Sequence, residues 1–294
     1  MSAAGENPAT SRPTSGGFRL APFGWGHLFL QIFLITSFEI VYAISGVYGR
    51  AQAHTALANA HDVQRLEDAL GLSWERGIQA WTMSQPDVLL SMSNRLYFVS
   101  QFAVTTAFLF WVYIRRTQHF ARVRNALLAA NCVQVLGLLL YPLAPPRLVP
   151  GSGLADTLAA GNVSLKSDVL QTLNNPYSAM PSLHAAYAVV FGVAGIMLTR
   201  HLAAKVAWSL YPAAVCYSVV ATGNHYVLDI VAGAAGLLTT PLVDGVATRI
   251  ARNRSTARLR AASMDGSPLP SMGISLRSRR TMSISGTSGK CRIG

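Results

Sequence analysis

The chain has 294 residues, of which 51% are hydrophobic and only 12% charged. Soluble domains carry about 25% charged residues, so a water-facing surface over most of this chain is excluded. The net charge of +12 does not indicate nucleic acid, because ten Lys/Arg against Asp265 alone supply +9 of it from Arg249 onward, and no nucleic-acid-binding motif accompanies them.

Residues 1–20 are rich in Ser, Gly, Ala and Pro and read as a disordered segment. Residues 21–248 carry apolar blocks near the ~20-residue length that spans a bilayer. They read as one six-helix transmembrane domain. The spans are expected at about 25–47, 96–114, 126–143, 182–199, 203–221 and 226–246. The first is longer than a signal-peptide core and lacks a small-residue cleavage site, so it is read as retained. Between spans one and two, Val63, Leu66 and Leu70 fall at helical spacing. They predict an amphipathic helix on the membrane surface, with Trp74 and Trp81 as head-group anchors. Residues 249–294 form a basic, disordered tail suited to anionic lipid.

Charge in the short loops sets the orientation. The connection from Arg115 to Arg124 has four Arg and no acid, and Arg200 and Lys205 bracket the turn after span four. With the basic tail they share one side, which the positive-inside rule makes cytoplasmic. Both termini are then cytoplasmic in a multi-pass cell-membrane protein. Cys132 and Cys216 lie in apolar blocks and Cys291 in the tail. An odd count at such places does not make a disulfide framework.

Three polar patches interrupt the apolar blocks: Tyr141 to Leu148 (YPLAPPRL), Asn175 to Ala186 (NPYSAMPSLHAA) and Thr222 to Gly233 (TGNHYVLDIVAG). In the six-span topology all three fall at outer helix ends, so distant segments converge on one membrane face. His225 and Asp229 are four apart and share a helix face. The carboxylate can accept the imidazole N–H and leave the other ring nitrogen as nucleophile or base. The bland alternative is a structural pair capping the helix. Ser182 is placed to cap span four behind Pro181, and a helix N-terminus attracts anions. His184 lies in that first turn, as a proton carrier or an ordinary interfacial His. Pro145 and Pro146 stiffen the approach to Arg147, whose planar fork suits phosphate oxygens. Together these groups equip phosphoryl transfer without an obligatory metal or cofactor.

The AMPSLH and GNHYVLDIVAG stretches resemble the second and third signatures of the type 2 phosphatidic acid phosphatase (PAP2) superfamily. The PLAPPR and NPYSAMPSLH stretches, and LEDALGLSWE followed by QAW, resemble its inositol phosphorylceramide synthase branch. The resemblance covers about residues 25–248. It implies an all-α, six-helix bundle with a phosphohistidine formed on His225, oriented by Asp229, with His184 as general acid and then base. Arg147, Ser182 and Asn224 would bind the phosphate. Two departures stand out. The first signature's Lys and Pro positions hold Leu140 and Leu148, and the third signature's Arg position holds Val219. Lys166 or Arg95 are candidate replacement cations, and Gln101 stands where related chains carry a His.

The expected function is an integral membrane phosphotransferase or phosphatase acting on a lipid phosphate ester at the extracytoplasmic face. The branch resemblance leans toward phosphoinositol-type head-group transfer, to an alcohol acceptor or to water. Expected partners are the bilayer, a phospholipid or lipid-phosphate substrate and an alcohol acceptor. Glu39, inside span one, is a candidate acceptor-site residue with Arg95, Lys166 and Tyr187; a protonated, helix-bonded Glu is the plainer reading. A non-enzymatic lipid transporter or flippase predicts polar groups near the midplane and broken helices, whereas these cluster at one face. A third reading makes His184, His225 and Asp229 metal ligands.

Overall fold

The structure, a computed structural model, describes residues 22–160 and 176–239. Among them every regular element is helical, and the only bridge joins Leu143 to Ser178. The chain opens with α1, Trp25–Ala51. Its Phe29, Phe33, Ile40, Ile44 and Val47 point outward, as expected for a helix surrounded by lipid. A break at Gln52 starts α2, Ala53–Leu70, which ends on Gly71 at φ 68. That left-handed cap suits glycine. The short α3, Glu75–Ser84, follows.

Pro86 precedes α4, Asp87–Val99. A π-helical turn at Ser100–Val104 then leads into α5, Thr105–Arg115. The apolar stretch expected at 96–114 thus lies within one longer helical rod with a π-turn. Such turns loosen the backbone ladder and often sit at functional places. The basic connection is also mostly helical, because α6 runs Thr117–Leu140 and only Arg116 breaks it. Among the described residues the last three long helices are α7 (Leu183–Leu198), α8 (Leu202–Ala221) and α9 (Val227–Gly236), the last extended by a 3₁₀ turn at Leu237–Thr239.

Among the described residues, three stretches are long and apolar enough to cross a membrane: Trp25–Ala51, Asp87–Arg115 and Thr117–Leu140. Two further apolar helices, Leu183–Leu198 and Val227–Thr239, are shorter. Helix α7 packs against α6, α8 and α9. Its contact with α8 is close because Gly195 leaves room for Trp208; a Cβ there would lie 2.3 Å from the indole. Small residues at such crossings let helices approach in lipid, where packing rather than water exclusion drives association. Phe108, Val112, Leu127, Tyr187 and Phe191 fill the centre of this bundle.

The α2 helix shows why hydrophobic spacing alone misleads. Leu66 and Leu70 are exposed, as lipid-facing residues at an interface would be, while the buried stripe is Ala56, Ala60, Val63 and Glu67. The two alanines let the helix lie against the 141–149 segment, where Ala144 N–H donates to Ala56 O at 3.1 Å. A carboxyl group is carried inward with that stripe. Trp74 and Trp81 are both 55% exposed.

Candidate active site

The three polar patches are sewn together by backbone hydrogen bonds. Leu143 N–H donates to Tyr177 O at 2.9 Å, and Ala179 N–H returns to Leu143 O at 3.2 Å. Arg147 N–H donates to Gly223 O at 3.0 Å, and Ser182 N–H to Asp229 O at 2.9 Å. Gly223 holds φ 68 there, and an added Cβ would come within 3.1 Å of Arg147 Cβ. Tighter still is Gly233, where a Cβ would meet Ser182 O at 2.2 Å. The α9 backbone therefore lies directly on the start of α7.

This packing brings the two imidazoles together, with ring centroids 5.8 Å apart. His225 is 6% exposed. Its Nδ1 lies 2.9 Å from Ala179 O and 3.3 Å from Asp229 Oδ2. A carbonyl oxygen only accepts, so Nδ1 carries the proton and Nε2 presents its lone pair. The Ala179 carbonyl is the nearer acceptor, a backbone group no side-chain motif reveals. Asp229 is fully buried, and its Oδ2 also accepts from Tyr226 N–H at 2.9 Å. One carboxylate thus holds both the imidazole and the helix start.

His184 follows the capping residue Ser182, whose Oγ accepts from Ala185 N–H at 3.3 Å. Its ring stacks on Tyr97 at 4.3 Å and 18°, and its Nε2 donates to Tyr97 O at 3.2 Å. By the same acceptor argument Nε2 carries hydrogen and Nδ1 is left to exchange a proton. Tyr97, three residues before the π-turn, is a member of the site that sequence reasoning missed. Aromatic residues at a helix end are common, so nothing in the sequence singled it out.

Arg147 is also held. Its side chain is 9% exposed and bonds Asp156 Oδ2 at 3.0 Å, while Nε donates to Asn224 Oδ1 at 2.9 Å. Asn224 Nδ2 in turn donates to Thr222 Oγ1 at 2.7 Å. The arginine's own loop is pinned by two buried amides. Gln79 spans Ala155 and Ala221 with bonds of 2.7 to 3.3 Å. Asn94 exchanges bonds with Thr157 at 3.0 and 3.2 Å. Gln79, Asn94 and Asp156 were not singled out by sequence.

The candidate acceptor residues are more scattered. Tyr187 is buried and bonded to Asn131. Glu39 and Arg95 are both exposed, and among the described residues no ion pair joins them. Lys166 lies outside the described residues. Among the described residues no cluster of three or more His, Cys, Asp or Glu could hold a metal.

The family model for the PAP2 superfamily matches residues 61–242, more than half of the chain and all three polar patches. No curated protein matches the chain. Among solved structures, the crystal structure of Aquifex aeolicus LpxE aligns at 16% identity and TM-score 0.42. The alignment covers 56% of this chain and 91% of that one, a likeness too distant to carry an argument. With both signature histidines inside the matched span, the chain belongs to the PAP2 superfamily.

Proposed function

We propose that the chain crosses the membrane six times and transfers a phosphoryl or phosphodiester group of a lipid through a phosphohistidine on His225. The observation that carries this is the pair of imidazoles 5.8 Å apart with opposite nitrogens tied down. His225 Nε2 attacks phosphorus and the bond to the leaving alkoxide breaks. Protonated His184 gives that oxygen its proton. His184 then takes a proton from the incoming alcohol or water, whose oxygen displaces His225. Arg147 holds the equatorial oxygens, which carry the charge of the transition state. Ser182 and Asn224 complete the phosphate cradle, and Asp229 stabilises the imidazolium.

Charge in the loops and the basic end support cytoplasmic termini and an extracytoplasmic site. Similarity of the PLAPPR and LEDALGLSWE stretches to the inositol phosphorylceramide synthase branch favours head-group transfer to an alcohol. Water as acceptor makes the same site a phosphatase, and the family match favours that reading equally. Incubating purified protein with radiolabelled phospholipids, with and without a lipid alcohol, separates the two. A new phospholipid means transfer; free phosphate or a free head-group phosphate means hydrolysis. If neither product forms with any phospholipid, the proposed reaction is wrong.

A further inference from the structure

The start of α9 is held from outside by two glutamates that the mechanism above does not use. Val227 N–H donates to Glu75 Oε1 at 2.8 Å, and Leu228 N–H donates to Glu67 Oε1 at 2.8 Å. With Asp229 accepting from Tyr226, three successive amides of this turn each end on a different carboxyl group. Glu67 is 1% exposed, Glu75 4% and Asp229 0%. A helix N-terminus favours negative charge, but three buried carboxylates together exceed what one dipole balances. One proton held between the two buried glutamates would relieve this. Burial, with Glu75 and Asp229 nearby, pushes the Glu67 carboxyl up to about 8, against the opposing bond from Leu228 N–H.

We propose that Glu67 and Glu75 form a proton-sharing carboxyl clamp that positions the His225–Asp229 turn, so that the site is competent while the pair holds one proton. The clamp ties the surface helices α2 and α3 to the residues flanking His225, two and three positions away. The titratable groups facing it are Asp229 and Tyr226 from the α9 turn. Tyr226 is 1% exposed and its phenol lies in the field of all three carboxyl groups. Losing the shared proton places like charges beside one another, and the clamp opens. These are positioning residues, and the inference rests on His225 being the group that meets phosphorus.

The test uses the full chain in lipid nanodiscs and tungstate, a phosphate mimic whose charge stays constant above neutral pH. Binding is measured by calorimetry at roughly pH 7.5 and pH 10. Wild type should bind about tenfold more weakly at the higher pH, the scale of a displaced contact group. Glu67→Gln keeps an acceptor for Leu228 and a donor for Glu75 without an ionisable proton. It should bind like wild type near pH 7.5 and lose most of the pH dependence. Glu67→Ala should bind weakly at both, and Glu75→Gln repeats the test from the other side. Wild-type pH dependence in both Gln variants, or wild-type affinity in Glu67→Ala, overturns the clamp. His225→Ala separates the two claims. If it binds tungstate like wild type, the nucleophile assignment fails; if it loses binding while the Gln variants behave as wild type, only the clamp fails.

Discussion

Gly233→Ala is a single methyl placed where two segments of the candidate site touch. Its Cβ would sit 2.2 Å from Ser182 O, a backbone atom that cannot rotate away. Relief requires α9 to move off the start of α7 by about 1 Å, since ordinary carbon–oxygen contacts lie well beyond 3 Å. Overpacking of this kind costs about 1–3 kcal/mol, which in a domain of this size lowers Tm by roughly 2–10 °C. The functional effect should be larger. Ser182 leads into His184, while Asp229, whose carbonyl accepts from Ser182 N–H, sits one turn beyond His225. Pushing the helices apart separates the two imidazoles, and a 1 Å misplacement costs on the order of 10²-fold in rate. Thermal unfolding by intrinsic fluorescence, alongside kcat with a radiolabelled phospholipid, measures both effects. A variant with wild-type Tm and wild-type kcat would show that this crossing does not set the imidazole distance.

Three other perturbations follow from particular contacts. Arg147→Lys gives up the Nε bond to Asn224 and the fork toward Asp156. A point charge cannot replace both, so KM in a steady-state lipid assay should rise about tenfold. Asp229→Asn should lower kcat nearer to ~10²-fold than the ~10⁴-fold typical of a lost tautomer. The reason is that Ala179 O still holds the Nδ1 proton of His225; a ~10⁴-fold loss in kcat would mean the carbonyl does not suffice. Stability against pH reads out Glu67. Its proton is kept in the fold up to about 8 but released near 4.5 when unfolded. The raised value means its contribution is fully present below 4.5 and is lost as pH climbs toward 8. Wild-type Tm should fall over that window by an amount equivalent to a few kcal/mol, and Glu67→Gln should flatten the slope.

Much of this site is legible before any coordinates, because its charged groups interrupt apolar blocks where polar residues are costly. His184, His225, Asp229 and Arg147 stand out for that reason. The supporting shell does not stand out. Gln79 and Asn94 act through amides that resemble any surface polar residue, and the Ala179 carbonyl carries no side-chain signal. Glu67 was hidden by the stronger apolar pattern of Leu66 and Leu70, which face outward. Amphipathic spacing assumes that the apolar side is the buried one, and at a lipid interface that assumption reverses. The LEDALGLSWE stretch carried the clue through its resemblance, without saying which way its carboxyl groups point. One helix boundary moved where charge was read as loop: α6 begins at Thr117, since arginines are good helix formers.

The most direct test is rapid quenching of the purified protein with phospholipid labelled at phosphorus, followed by mapping of the modified residue. An acid-labile, base-stable label on His225 is expected, absent from His225→Ala and retained longer in His184→Ala, where the acceptor is not deprotonated. Turnover without any protein-bound phosphorus, or a label that survives His225→Ala, would contradict attack by this imidazole.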